Sequence, residues 1–195
     1  MRTSTLKRQT EETNISLEIN LDGSGCAAIG TGHAFFDHML HLLCRHSLCD
    51  MTLQAEGDLD VDAHHTVEDT AIALGECMRR ALGEKRGIVR YGYSCIPMDE
   101  TLVRVVIDLS NRPFLEFRIQ PGMPDAPNFP LSLCEEFCRA FSSNLRCTLH
   151  VEVFYGRDGH HIAEAIFKGL ARALRQAAEI DMRAAALLPS TKGVL

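Results

Sequence analysis

The sequence has no apolar stretch long enough to span a membrane and no low-complexity tract. Its opening residues, Met1-Arg2-Thr3-Ser4-Thr5-Leu6-Lys7-Arg8, lack the apolar core of a signal peptide, so a soluble cytoplasmic protein is expected. Cationic excess is missing too: the formal net charge is −6, which argues against general nucleic-acid binding, since that runs on phosphate neutralisation by Lys and Arg. No P-loop and no GxGxxG occurs, so a nucleotide ligand is not expected. Eight cysteines are present, yet no two form a CxxC pair, and only Cys134 and Cys138 come near, four apart. A zinc–thiolate site wants paired short spacings; these read instead as reduced, mostly buried thiols. What remains is an ordinary globular composition, 46% hydrophobic and 24% charged, over 195 residues, enough for one large domain or two small ones with a real core.

Histidine is distributed unevenly. Four of the nine histidines fall in two copies of one motif, His64-His65-Thr66-Val67-Glu68 and His160-His161-Ile162-Ala163-Glu164, set 96 positions apart. On a helix the glutamate lies three and four residues from the two histidines and can join either on one face. Adjacent histidines point about 100° apart, so His64 and His65 suit two different ions, one of them shared with another subunit. The same holds for His160, His161 and Glu164. One HxxxE arises readily by chance on a surface helix, whereas two HHxxE at matching repeat positions point to a metal site built from both halves of a duplication.

The repeat extends beyond the histidines. Glu11–Leu21 can be laid on Asp99–Leu109 at an offset of 88, both alternating with a period of two and ending in turn formers. Phe36-Asp37-His38-Met39-Leu40 lies opposite Cys134-Glu135-Glu136-Phe137-Cys138 at an offset of 98. The jump of about ten marks an insertion in the second half, seated in the proline-rich segment 120–130. Each half reads strand, strand, helix, strand, helix. The first has a hairpin over 7–21 and 24–30, a helix over 35–46, a strand over 50–58 and a helix over 65–82. The second repeats this over 100–109, 113–120, 131–144, 146–154 and 161–179, and the halves meet near 92–98. Such a pattern predicts an α+β fold, with helices packed on one sheet face in each half.

Repeat symmetry sets His38 opposite Glu136, so if His38 is a ligand Glu136 is its counterpart. Mixed N/O ligation without thiolate suits Mn²⁺, Fe²⁺ or Zn²⁺, and a six-coordinate site favours manganese. His33, His41 and His150 have no repeat partner and read as surface or hydrogen-bonded side chains. A second theme is cationic. Lys168 extends the His161–Glu164 face by one turn, Arg90 and Arg112 sit in turn-like contexts, and Ser190-Thr191-Lys192-Gly193 offers hydroxyls and a lysine. Together they resemble an anion site, most simply for phosphate.

Phe36-Asp37-His38-Met39-Leu40 with Arg45-His46, Asp62-Ala63-His64-His65-Thr66-Val67-Glu68-Asp69, Met98-Asp99-Glu100, Asp108-Leu109-Ser110-Asn111-Arg112-Pro113, His160-His161-Ile162-Ala163-Glu164-Ala165 and Ser190-Thr191-Lys192-Gly193-Val194 occur in this order. The set closely resembles the imidazoleglycerol-phosphate dehydratases of histidine biosynthesis, from about residue 7 to the C-terminus. The resemblance implies a duplicated fold, residues 1–92 and 93–195, each half a four-stranded sheet carrying two helices. It implies two Mn²⁺ ions per active site, in sites assembled between subunits of a 24-subunit homo-oligomer. Carried over position by position, the metal ligands are His38, His64, His65, Glu68, His160, His161 and Glu164. At Glu136 the family pattern has histidine, and at Ala63 it has aspartate, so one ligand and one supporting hydrogen bond depart from it. Phosphate and substrate contacts fall on Arg90, Arg112, Lys168, Ser190 and Lys192, with Glu12, Asp99 and His46 as acid–base candidates. The implied chemistry is loss of water from the glycerol chain of the substrate, through an imidazolate that expels the hydroxyl and gives imidazole-acetol phosphate. Two rival readings use the same parts: a non-catalytic metal-binding assembly and a metal-dependent phosphatase.

Overall fold

The computed structural model describes residues 1–195. The first half contains β1 (Thr3–Gln9), β2 (Thr13–Asn20), β3 (Ala27–Gly30), α1 (Ala34–Ser47), β4 (Asp50–Gly57) and α2 (His64–Leu82). The second contains β5 (Tyr91–Met98), β6 (Thr101–Asp108), β7 (Phe114–Arg118), α3 (Leu131–Leu145), β8 (Thr148–Tyr155) and α4 (Gly159–Ala178). Two four-stranded sheets result, ordered β1-β2-β4-β3 and β5-β6-β8-β7. In both, the third strand pairs parallel with the fourth while the other pairings are antiparallel. The α+β class and the duplication are as the sequence predicts.

Three sequence-based boundaries need correction. Residues 7–21 are not one strand: they span the end of β1, a turn and β2. Residues 24–30 do not return on that strand as a hairpin, since Ala27–Gly30 pairs in parallel with Met51–Gln54. Residues 92–98, expected to join the halves, lie within β5, and the connection runs through 83–90. The physical cause is legible in β5. Its inward positions are Gly92 and Ser94, while Tyr91 and Tyr93 point out and are exposed, so the usual apolar-in alternation is inverted. Glycine is required there: a Cβ on Gly92 would stand 1.9 Å from the Ala173 carbonyl oxygen of α4.

Each sheet buries one face, as the alternating burial of β2 and β6 shows. Helix α2 packs on β1 and β2, α4 on β5 and β6, and the helices then meet across the halves, α2 on α3 and α1 on α4. The four helices therefore form one layer between two sheets. A single cluster of 52 buried apolar residues runs through it, so the halves share one core. Phe137 sits at the crossing, 4.8 Å from the Phe167 ring and 5.9 Å from Phe36. Each such buried ring contributes about 1.5–3 kcal/mol.

The proline-rich insertion folds back onto this layer. Asp125 accepts the Leu131 amide at 2.8 Å and so caps the start of α3, while Phe129 is buried against Phe35 and Phe36 at the start of α1. Six of the eight cysteines are buried, and burial pushes the Cys44, Cys134 and Cys147 thiols up to about 12. Those thiols are inert core, as their spacing predicts.

Candidate active site

Both HHxxE motifs open a helix, and in the same way. Asp158 at the N-cap of α4 accepts the His160 amide at 2.8 Å, and Asp62 accepts the His64 amide at 2.7 Å. The residue between differs, Ala63 in one copy and Gly159 in the other. Gly159 is forced, because a Cβ there would lie 2.1 Å from the Asp125 backbone in the insertion.

Packing of α1 on α4 brings His38, His160 and Glu164 together. His38 Nε2 lies 2.9 Å and His160 Nε2 3.0 Å from one oxygen of Glu164, and the three ligand atoms fall within 4.8 Å of one another. Lys168, one turn on, donates to the other Glu164 oxygen at 2.5 Å. Glu164 is only 7% exposed. Burial works against its ionisation, yet hydrogen bonds from Lys168, His38 and His160 hold it ionised, down to about 2. Two imidazole nitrogens and an ionised carboxylate converging from two rigid helices form a donor set that fits a divalent ion.

The second histidine of each motif turns elsewhere. The His160 and His161 rings are nearly perpendicular, at 86°, as are those of His64 and His65, at 87°. His161 Nδ1 meets Glu100 at 2.8 Å, leaving Nε2 outward, 3.9 Å from Asp99. His65 Nδ1 meets Asp58 at 2.9 Å, leaving Nε2 outward, 3.7 Å from Glu12. A carboxylate on one ring nitrogen orients the ring and makes the other nitrogen a better ligand. Asp58 and Glu100 raise the affinity of these rings for a proton, and in return the His161 hydrogen bond pulls Glu100 down to about 2. Sequence reasoning missed both. Glu100 was within reach, because the 88-residue offset lays it on Glu12; Asp58 sits in the loop after β4, with no matching carboxylate after β8.

The counterpart triad does not close. His64, Glu68 and Glu136 sit on α2 and α3, but their ligand atoms form no group as tight as that around Glu164. His64 is exposed, and Glu136 instead lies 3.6 Å from Arg139 on its own helix. His46, in the last turn of α1, is half-buried, and burial followed by the nearby Lys168 and Arg172 charges holds its pKa below the usual value. Glu12 and Asp99 stand at the two equivalent turns, β1–β2 and β5–β6, with Asp99 in left-handed backbone at φ 47°. His33, expected to be hydrogen-bonded, caps α1 through Nδ1 and touches the Asn128 carbonyl oxygen through Nε2.

The basic residues collect at the end of the second sheet opposite the β5–β6 turn, with Arg90 just before β5 and Arg112 just after β6. Arg90, 9% exposed, grips Asp108 through Nε at 2.7 Å and Nη2 at 3.1 Å, and donates through Nη1 to the Pro189 carbonyl oxygen at 2.7 Å. Arg112 lies 3.5 Å from the same carboxylate. Ser190 Oγ donates to the Val194 carbonyl oxygen and accepts the Lys192 amide, folding the tail into a turn. Lys168 belongs to the Glu164 cluster and not to this group.

Fold and site together define an internally duplicated α+β protein with a histidine–carboxylate centre suited to a divalent metal and a separate cationic cluster at the other end of the second sheet. The family model for imidazoleglycerol-phosphate dehydratase matches residues 31–174. The imidazoleglycerol-phosphate dehydratase of Akkermansia muciniphila is 73% identical over the whole of both chains, and that of Nitrobacter hamburgensis is 55% identical over all of this chain and 99% of its own. Among solved structures, the Staphylococcus aureus enzyme superposes with a TM-score of 0.82 at 37% identity, covering 92% of this chain and 99% of its own. The Pyrococcus furiosus enzyme in complex with (S)-C348 gives 0.83 at 38%, covering 97% and 100%. The chain belongs to the imidazoleglycerol-phosphate dehydratase family of hydro-lyases.

Proposed function

We propose that this chain dehydrates imidazoleglycerol phosphate to imidazole-acetol phosphate in histidine biosynthesis, as a Mn²⁺-dependent enzyme of the cytoplasm. The observation that carries the reading is the closure of His38, His160 and Glu164 around one carboxylate oxygen. Those three would hold one ion, and the outward Nε2 atoms of His65 and His161 would reach ions shared with neighbouring subunits, two per active site in a 24-subunit assembly. His64, Glu68 and Glu136 would serve as the corresponding, looser set. The division into two repeat halves is part of the same proposal. A bound divalent ion supplies a lowered pKa at the ring N–H of the substrate and charge stabilisation when that proton is lost.

The remaining work falls to the chain's own side chains. Dehydration must protonate the departing hydroxyl on the ring-bearing carbon and remove a proton from the carbon beside it. Glu12 and Asp99, on exposed turns beside the two outward histidines, would exchange protons with solvent and substrate. His46 is kept neutral near pH 7 and can accept a proton there. Arg112, Ser190 and Lys192, with Arg90 behind them, bind the phosphate and Lys168 adds a charge from the metal side, which orients the glycerol chain.

The test is to incubate the manganese-loaded protein with imidazoleglycerol phosphate and follow both products. Imidazole-acetol phosphate is expected. Free phosphate would favour the phosphatase reading, and no product with metal bound would favour a non-catalytic assembly.

A further inference from the structure

Lys85 is a buried cation that the reaction does not use. It lies in the 83–90 connection between α2 and β5, only 2% exposed, and its Nζ donates to the Leu109 carbonyl oxygen at 3.2 Å and to Asn111 Oδ1 at 2.7 Å. Asn111 passes the connection on, donating through Nδ2 to a main-chain oxygen of Leu195 at 3.0 Å. Three separate chain segments are thereby tied in series: the connection 83–90, the β6–β7 loop 109–112 and the tail 188–195. Each bears part of the cationic group, Arg90 on the first, Arg112 on the second, Ser190 and Lys192 on the third.

Backbone geometry marks the same place. Lys85, Arg90 and Asn111 all adopt left-handed conformations, φ 60°, 76° and 60°, three of the seven non-glycine residues in the chain that do so. Left-handed backbone at a lysine and an arginine is costly and persists only where surrounding contacts over-determine it. Burying an ammonium group costs more still unless it is hydrogen-bonded, and both acceptors of Lys85 belong to the loop that carries Arg112. A methionine would fill this volume without that cost.

We propose that Lys85, acting through Asn111, is a positioning residue that pre-docks the C-terminal tail and the Arg112 loop into one phosphate-binding surface. This rests on the reading that Arg112, Ser190 and Lys192 contact the phosphate. Without the tie the end of the tail beyond the Arg90–Pro189 contact spends part of its time undocked, and the substrate must supply the docking energy from its own binding. Saturating substrate restores the docked form, so the loss falls on KM and not on kcat.

The test uses the full-length, metal-loaded protein carrying Lys85→Met, Asn111→Gly or both. Asn111→Gly deletes the amide but keeps the left-handed backbone accessible. Each single variant is expected to raise KM, and the inhibition constant for inorganic phosphate, by about three- to tenfold with kcat within about twofold. The double variant should be no worse than the worse single one, because both cut the same tie. Hydrogen exchange in 188–195 should rise in all three, and the melting temperature of Lys85→Met should not fall. Arg112→Ala and Lys192→Ala are measured beside them. If those two weaken phosphate binding but the Lys85 and Asn111 variants do not, or if the tail keeps its protection, the positioning role is wrong and the phosphate site stands. If Arg112→Ala and Lys192→Ala leave phosphate affinity unchanged, the site itself is misassigned and the positioning role falls with it.

Discussion

Three of the four motif histidines end on a carboxylate, and each carboxylate does something different. Glu164 gathers His38, His160 and Lys168 onto itself, Asp58 steers His65, and Glu100 steers His161. The repeat relates Glu12 to Glu100, yet only Glu100 is drawn onto its histidine. With Asp58 holding His65, Glu12 stays half-exposed, 3.7 Å from Nε2. Lys85 gives the residue scale its pH prediction. Burial lowers its pKa to about 8, opposed in part by Asp108. An unfolded lysine keeps its proton up to about 10.5, so between those values the unfolded chain binds more protons and folding stability rises with pH. Relative to Lys85→Met, the wild type should therefore gain about 1–3 kcal/mol between pH 8 and 10.5, measured by denaturant unfolding. Parallel pH profiles for the two proteins would mean that Lys85 is not held in a desolvated site.

Among the elements, α2 and α3 pack backbone against backbone at Gly75. A Cβ at Gly75 would stand 2.6 Å from the Phe141 carbonyl oxygen and 2.8 Å from the Leu145 amide nitrogen, both backbone atoms of α3 that cannot swing away. Helix propensity alone favours Gly75→Ala by about 1 kcal/mol, while separating two packed helices costs about 1–3 kcal/mol or more. The clash should win. Gly75→Ala is predicted to lower the melting temperature by several degrees, and a rise would show that the helix pair can relax. Elements also show where sequence pattern is readable and where it is not. The helices, β4 and β6 carry clean apolar periodicity and were legible. β1 buries only Leu6, and β5 hides Gly92 and Ser94 while exposing its tyrosines, so neither edge strand announces itself by hydropathy. β3 lies within the expected 24–30 strand, but its partner was not legible, since four residues pairing in parallel with β4 look like one arm of a local hairpin.

For the whole molecule, duplication made the metal-ligand candidates legible before any coordinates: equivalent motifs had to land on equivalent helices. What duplication could not predict is how far the copies have drifted. The packing of α1 on α4 closes a triad, whereas the packing of α2 on α3 leaves His64, Glu68 and Glu136 open, with Glu136 turned to Arg139. The long-range joining of Lys85, Asn111 and the tail was likewise invisible, because those residues share no spacing or period. We propose that this asymmetry extends to the metal: the ion bound by a single chain's own side chains sits on Glu164. Manganese bound per chain at equilibrium, measured by elemental analysis after dialysis, tests it directly in Glu164→Ala and Glu136→Ala beside the wild type. Glu164→Ala should lose at least about one ion per chain that Glu136→Ala retains. Full manganese content in Glu164→Ala, or an equal loss in both variants, would contradict it.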